Sequence, residues 1–349
     1  MLVMVNFPKV TDLDYINFIL ASQRIFTCTE AARSQSANEE DDGPSHDAFT
    51  RLLQRLPKDT ETLWSEAKPL LNEHGGALII DDTTLDKPYA AKMGLVTYHW
   101  SGKHRSVVKG INLISLLWTD GEKMIPTDFR LYDKPFGGKT KNEHFADMLS
   151  KAKKRGLNPC YVLFDSWYSS IDNLKLVRGL GWLWFTRLKS NRLINPDRSG
   201  NRSVSDVDIP EEGRIVHLKE YGMVKVFKTV SKHGDVDYWA TDDLQMNLKR
   251  SDELQLNGWS IEVYHRGIKQ CCGIERAQVR KERAQRGHIL LSLRVFLRLE
   301  INRIMKGNKL VRSKDLHHPR RNKIIHYQPH NSFATNCVTP KHIEVKAIT

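Results

Sequence analysis

Apolar positions in residues 1–74 recur at the three- and four-residue spacing of helices. Residues 15–20 and 49–56 each carry such a stripe, and a third predicted helix covers 60–72. Residues 34–47 between the first two are polar and acid-rich and read as an exposed loop. Gly75-Gly76 ends the helical pattern. Ala77-Leu78-Ile79-Ile80 is wholly apolar, as a strand buried on both faces requires, and it stops at Asp81-Asp82-Thr83-Thr84. Strands are expected over 104–117 and 123–132, then a helix over 141–155 with Phe145, Met148, Leu149 and Ala152 on one face. A second buried-type run, Tyr161-Val162-Leu163-Phe164, also stops at an acid, Asp165. A helix over 169–179 and a strand over 182–186 follow.

From 188 to 245 the chain is rich in turns and short strands (214–218, 223–229, 236–240), which predicts a β-rich insertion. The stretch 259–269 then reads as a helix. Ile261, Tyr264 and Ile268 make its apolar stripe, while Glu262, Arg266 and Lys269 share a neighbouring face. Residues 290–304 form a strongly apolar helix. Beyond 306 the chain is basic, without periodicity, and reads as a flexible tail. Three parts are expected: a helical region over 1–74, an α/β core over 75–305 and the tail over 306–349.

Charge narrows the partner. The 349 residues carry 54 Lys and Arg against 41 Asp and Glu, a formal +13. That surplus favours a polyanion, nucleic acid ahead of an acidic membrane surface. It is unevenly placed: residues 1–75 hold 7 basic and 12 acidic side chains, residues 266–349 hold 19 and 5. The basic quarter begins at the Glu262 helix. The helical region ahead of the core suits DNA-end recognition, or a plain helical cap given its own negative charge. No apolar run approaches the roughly 18–20 residues that span a bilayer, and residues 1–10 hold no secretory core, so no membrane partner is expected. Five scattered cysteines without a C-x-x-C pair read as reduced thiols, which suits the cytoplasm.

Two acids ending two buried parallel strands would stand side by side at the carboxyl edge of a sheet. A third, from a helix packed across that edge, would complete a cluster. Converging carboxylates raise each other's pKa, and a divalent cation resolves the conflict; hard oxygen ligands select Mg²⁺ or Mn²⁺ over zinc. Two ions about 3.5–4 Å apart can activate a water or a 3′-hydroxyl and stabilise the leaving oxygen of a phosphodiester. Singly, each acid has an ordinary reading. Asp81, Asp82 and Asp165 could form turns or helix caps, and Glu262 could be half of an intrahelical ion pair. The order strand–acid, strand–acid, β insertion, helix–acid with a basic flank is the more specific signal.

In that order the chain resembles the DDE transposases of bacterial insertion sequences, the cut-and-paste group with a β insertion before the catalytic glutamate. Residues 77–84, 161–168 and 259–276 carry the resemblance. The family's third region is written Tyr-x₂-Arg-x₃-Glu-x₆-Lys. Glu262 and Lys269 keep its second half, whereas Gln255 and Gly258 stand where the Tyr and Arg would be. The resemblance implies an RNase H-like fold, a mixed sheet with flanking helices, and two Mg²⁺ (or Mn²⁺) held by three acids. Asp165 and Glu262 supply two of them. For the first, the Asp-Thr-Thr run favours Asp82 and the Asp-x-Thr spacing favours Asp81; period-two alternation lets only one point at the site, with Asp82 preferred. The implied reaction is hydrolysis at the element ends, then attack of the freed 3′-OH on target DNA. Arg266, Lys269, Arg276 and Arg280 would hold phosphates. Trp259, like Trp167, has a core reading and a base-stacking one. A synaptic homodimer on DNA, in a bacterial cytoplasm and associated with the nucleoid, belongs to the same expectation.

Overall fold

The computed structural model describes residues 8–22, 26–35, 43–102, 104–133, 138–231 and 233–306. The expected tail therefore lies outside the described residues. The strands are β1 (Ala77–Asp86), β2 (Thr97–Ser101), β3 (Ser106–Thr119), β4 (Ile125–Tyr132), β5 (Tyr161–Phe164) and β6 (Leu183–Leu188). The insertion adds β7 (Leu193–Asn195), β8 (Arg202–Ser203), β9 (Arg214–Leu218), β10 (Gly222–Val230) and β11 (Val236–Thr241). All eleven form one sheet in the order β2-β3-β1-β5-β6-β11-β10-β9-β7-β8, with β4 also paired to β3. β1, β5 and β6 are parallel, and β3 and β11 flank them antiparallel. The insertion thus extends the central sheet from β6.

β1 does not stop at its acids. Its ladder with β3 continues from Asp81↔Ser115 to Asp86↔Gly110, and buried Leu85 anchors that second half. Asp81 and Asp82 are therefore mid-strand residues, which fixes their directions. The apolar run predicted only the half that is buried on both faces.

The helices are α1 (Asp12–Ala21), α2 (Cys28–Arg33), α3 (His46–Arg55), α4 (Glu61–Ala67), α5 (Lys141–Lys154), α6 (Ile171–Gly179), α7 (Leu248–Gly258), α8 (Ser260–Gln270) and α9 (Glu282–Lys306). Two of them, α2 and α7, escape the apolar pattern because they bury so little: Ala31 in one, Ser251 and Leu254 in the other. β2 escapes it because Tyr98 and Trp100 face outward.

One face of the sheet carries α5 and α6. Thr140 starts α5 with a capping box to Glu143, and Phe145 packs edge-on against Phe164 at 5.2 Å and stacks on Tyr168 at 5.4 Å. The other face carries α8, whose Ile261, Tyr264 and Ile268 are buried, and Tyr264 meets Phe296 of α9 edge-on at 4.9 Å. α1, α3 and α4 pack on α9 in turn. Covered by helices and sheet, α9 is apolar nearly all round in its middle turns, with Ile289, Leu290, Leu291, Leu293, Val295 and Phe296 buried. Gly287 permits a close approach of α3 to α9, since a Cβ there would lie 2.3 Å from the Leu53 carbonyl oxygen. No described helix is long and apolar enough to cross a membrane.

At the root of the insertion, the Asp242 carboxylate accepts from the Trp184 N–H (3.0 Å) and the Tyr221 hydroxyl (2.8 Å). Burial outweighs those bonds and pushes its pKa up to about 6 from 3.8. The folded chain thus keeps a proton there that the unfolded chain has already released. Stability from this group is complete below pH 4 and falls by up to about 3 kcal/mol as pH rises to 6. Urea titrations across that window should show the fall, and Asp242→Asn should flatten it.

Candidate active site

Register decides which acids share a face. β1 and β5 pair Ile79 with Leu163 and Ile80 with Phe164, so the next residues, Asp81 and Asp165, stand level. Leu163 faces α7, lying 3.6 Å from the Cβ position of Gly258. Asp165, in step with Leu163, faces the same way. Asp81 pairs with Ser115 of β3, and Ser115 lies against Tyr264 of α8. Asp81 and Asp165 therefore point to the α7–α8 layer. Glu262 sits in the first turn of α8, exposed and within electrostatic reach of Asp81.

Charge confirms the convergence. Burial first, then the charges of Asp165, Asp82 and Glu262, push the Asp81 carboxyl well above the usual carboxylate range. Burial first, and the Asp82 charge after it, also raise Asp165, opposed by Arg187 and by the Trp167 and Tyr168 N–H groups, which donate to its Oδ1 at 3.0 and 3.4 Å. Carboxylates that raise one another in this way favour binding a cation.

Asp82 points the other way. Its Oδ2 accepts from Lys141 Nζ (2.7 Å) and Asn112 Nδ2 (2.6 Å), and its Oδ1 from the Tyr168 hydroxyl (3.0 Å). Lys141, the first residue of α5, also lies 5.6 Å from the Tyr132 ring centre and 5.2 Å from that of Trp167. The sequence preference for Asp82 over Asp81 thus meets a carboxylate already paired with Lys141 in the α5–α6 layer. The Asp-Thr-Thr run says nothing about which face of β1 an acid takes. Lys141, Asn112 and Tyr168 carried no signal either, because long stretches of chain separate each of them from Asp82.

The expected phosphate holders are dispersed. Lys269 donates to the Thr84 carbonyl oxygen at 2.8 Å and lies 3.6 Å from Glu275, whose Oε1 accepts from the Asp86 N–H. It ties the end of α8 to the end of β1. Arg276 donates to the Gln270 carbonyl oxygen (3.3 Å) and covers the Phe26 ring (5.9 Å). Arg266 is half-buried one turn after Glu262, and Trp259 is half-buried where α7 meets α8. Arg280 is exposed, beside exposed Lys281 and Arg283. In the expected Tyr position, Gln255 donates to Ser251 of its own helix at 3.2 Å.

The family profile described as "DDE superfamily endonuclease" matches residues 17–221, more than half of the chain and both strand acids. The chain belongs to the DDE superfamily of endonucleases. A second profile, "Archaeal putative transposase ISC1217", matches residues 133–310 and so spans Asp165 and Glu262. No curated protein matches. Among solved structures, the fold is similar to that of the piggyBac transposase in a synaptic complex with hairpin DNA. Identity is 13%, the TM-score is 0.50, and the match covers 86% of this chain and 68% of that one. The large mixed sheet with flanking helices is the RNase H-like arrangement of DDE proteins.

DDE endonucleases use divalent metal, and the donor set on the α8 face fits one. Asp81, Asp165 and Glu262 offer only hard carboxylate oxygens, and after burial it is the negative charges of Asp165, Asp82 and Glu262 that raise Asp81. As the side chains stand, no group of three His, Cys, Asp or Glu among the described residues is gathered closely enough to hold an ion. The acids would have to draw together on one.

Proposed function

We propose that this DDE endonuclease is the transposase of a bacterial insertion sequence. In this reading it cuts phosphodiesters at the element ends and joins the freed 3′-OH to target DNA. The observation that supports it most is the turning of Asp81, Asp165 and Glu262 to one face while Asp82 is paired with Lys141 on the other. These three would hold two Mg²⁺, or Mn²⁺, which supply nucleophile activation and leaving-oxygen stabilisation. The chain's own part is placement. Backbone N–H groups of Trp167 and Tyr168 fix the Asp165 carboxylate, and Lys269 fixes α8, hence Glu262, against β1. Arg266, Arg276, Arg280 and Trp259 would line the approach of DNA, Lys269 joining them once displaced from Thr84. A synaptic homodimer working on the bacterial nucleoid, in the cytoplasm, completes the reading.

A second reading, a relative that binds DNA without cutting it, rests on Gln255 and Gly258 in place of Tyr and Arg. Nicking of DNA carrying the element ends separates the two. The proposal predicts cleavage in Mg²⁺ or Mn²⁺, none in EDTA, and strand-transfer products when target DNA is added. Binding without cleavage in either metal would support the second reading, and cleavage without strand transfer would leave a nuclease.

A further inference from the structure

The β1–β5 ladder stops one residue short of the acids. Its last pair is Ile80 with Phe164; beyond it the chain after β5 turns, while β1 runs on along β3. The crossing between the two acid-bearing segments past that point is made by side chains on the opposite face. Tyr168, three residues after Asp165, donates its hydroxyl to Asp82 Oδ1 at 3.0 Å, and Asp82 directly follows Asp81. Each end of that bond is held. The Tyr168 side chain is fully buried and stacks on Phe145, and Asn173 of α6 donates to its carbonyl oxygen at 2.9 Å. Asp82 Oδ2 is gripped by Lys141 from α5 and Asn112 from β3. Burial first, then the charges of Asp82 and Asp81, push the Tyr168 phenol up, so it stays a donor.

We infer that Tyr168 is a positioning residue: through Asp82 it brackets the Asp165 loop to β1 and so sets the separation of Asp81 and Asp165 at which a divalent ion is held. The inference rests on the endonuclease reading for the ion and deepens it by giving Asp82 a task. A hydroxyl donating to a carboxylate makes a strong, directional bond, and its rigid ring cannot follow a loop that drifts. The loop is the part that needs holding, because Trp167 and Tyr168 aim the Asp165 carboxylate through their N–H groups. Hard divalent ions tolerate little error in ligand distance, Mg²⁺ least of all, so groups that hold the ligands from behind govern affinity without touching the metal.

Tyr168→Phe removes the hydroxyl and keeps the stacked ring. Mn²⁺ binding to the purified protein without DNA, followed by EPR of the free ion, should weaken about tenfold. In an Asp82→Ala background the same change should cost less than about twofold, since the two groups act as one. Val177→Ala opens a cavity in α6 with the bracket intact; it should lower the urea midpoint and leave Mn²⁺ affinity at the wild-type value. A second readout needs no ion. Hydrogen exchange of the 165–169 amides in EDTA should quicken about threefold or more in Tyr168→Phe and stay unchanged in Val177→Ala. Unchanged exchange or wild-type Mn²⁺ affinity in Tyr168→Phe overturns the proposal, as does an equal loss of affinity in Val177→Ala or a tenfold cost persisting in the Asp82→Ala background. If Asp165→Asn binds Mn²⁺ as the wild type does, the metal reading fails, and the exchange rates still decide whether the bracket holds the loop.

Discussion

Asp81→Asn should reduce divalent-dependent nicking by at least about 10³-fold, and Asp82→Asn by about tenfold or less. The difference follows from alternation on one strand. Asp81 shares its face with Asp165 and Glu262, and burial first, then the neighbouring carboxylate charges, raise its carboxyl. Asp82 already has a lysine, an amide and a phenol on its two oxygens. An asparagine at 82 keeps an oxygen for Lys141 and Tyr168, so the cost there falls mainly on stability, about 1–3 kcal/mol for weakening a half-buried ion pair. Asp165→Asn and Glu262→Gln should behave like Asp81→Asn. Parallel assays of the four purified variants, with DNA binding checked in each, would show it. Equal loss at 81 and 82 would mean that β1 presents its acids differently.

The second large effect is on stability. Arg294 of α9 is 6% exposed at its side chain and pairs with Glu66 of α4, through bonds of 2.7 and 3.1 Å, and with Asp12 of α1. One guanidinium thus joins two N-terminal helices to the helix that backs α8. Arg294→Met leaves Asp12 and Glu66 without their guanidinium, but each is about a third exposed and recovers some hydration, and Glu66 keeps Arg298 at 3.7 Å. The expected cost is therefore about 3 kcal/mol, the low end for breaking a buried pair, read as a fall in the urea midpoint at unchanged slope. Adding Asp12→Asn and Glu66→Gln should return most of it, because neutral side chains no longer need the cation. No change in midpoint for the single variant would show that packing alone holds these helices.

Much of this is legible in the sequence. The runs at 77–80 and 161–164 announce buried strands because both faces are covered, and α8 announces itself by Ile261, Tyr264 and Ile268. The order of the acids carried the family. Facing was not legible at Asp81 and Asp82. A sequence gives alternation but not its phase, and the phase is set by what packs above and below, Tyr264 on one side and Lys141 on the other. The same limit hid the employment of Lys269, whose partners Thr84 and Glu275 come from different parts of the chain. Nothing in the α9 pattern shows that α1 and α4 cover Arg294. The insertion reads only as β-rich, since nothing in short strands says that β11 pairs with β6.

Anomalous diffraction from crystals soaked in Mn²⁺ tests the central claim most directly. The account predicts density between Asp81 and Asp165 on the α8 face, with the Glu262 carboxylate drawn toward it and Asp82 still on Lys141. Density on Asp82, or none at the three acids under conditions that support nicking, would contradict it.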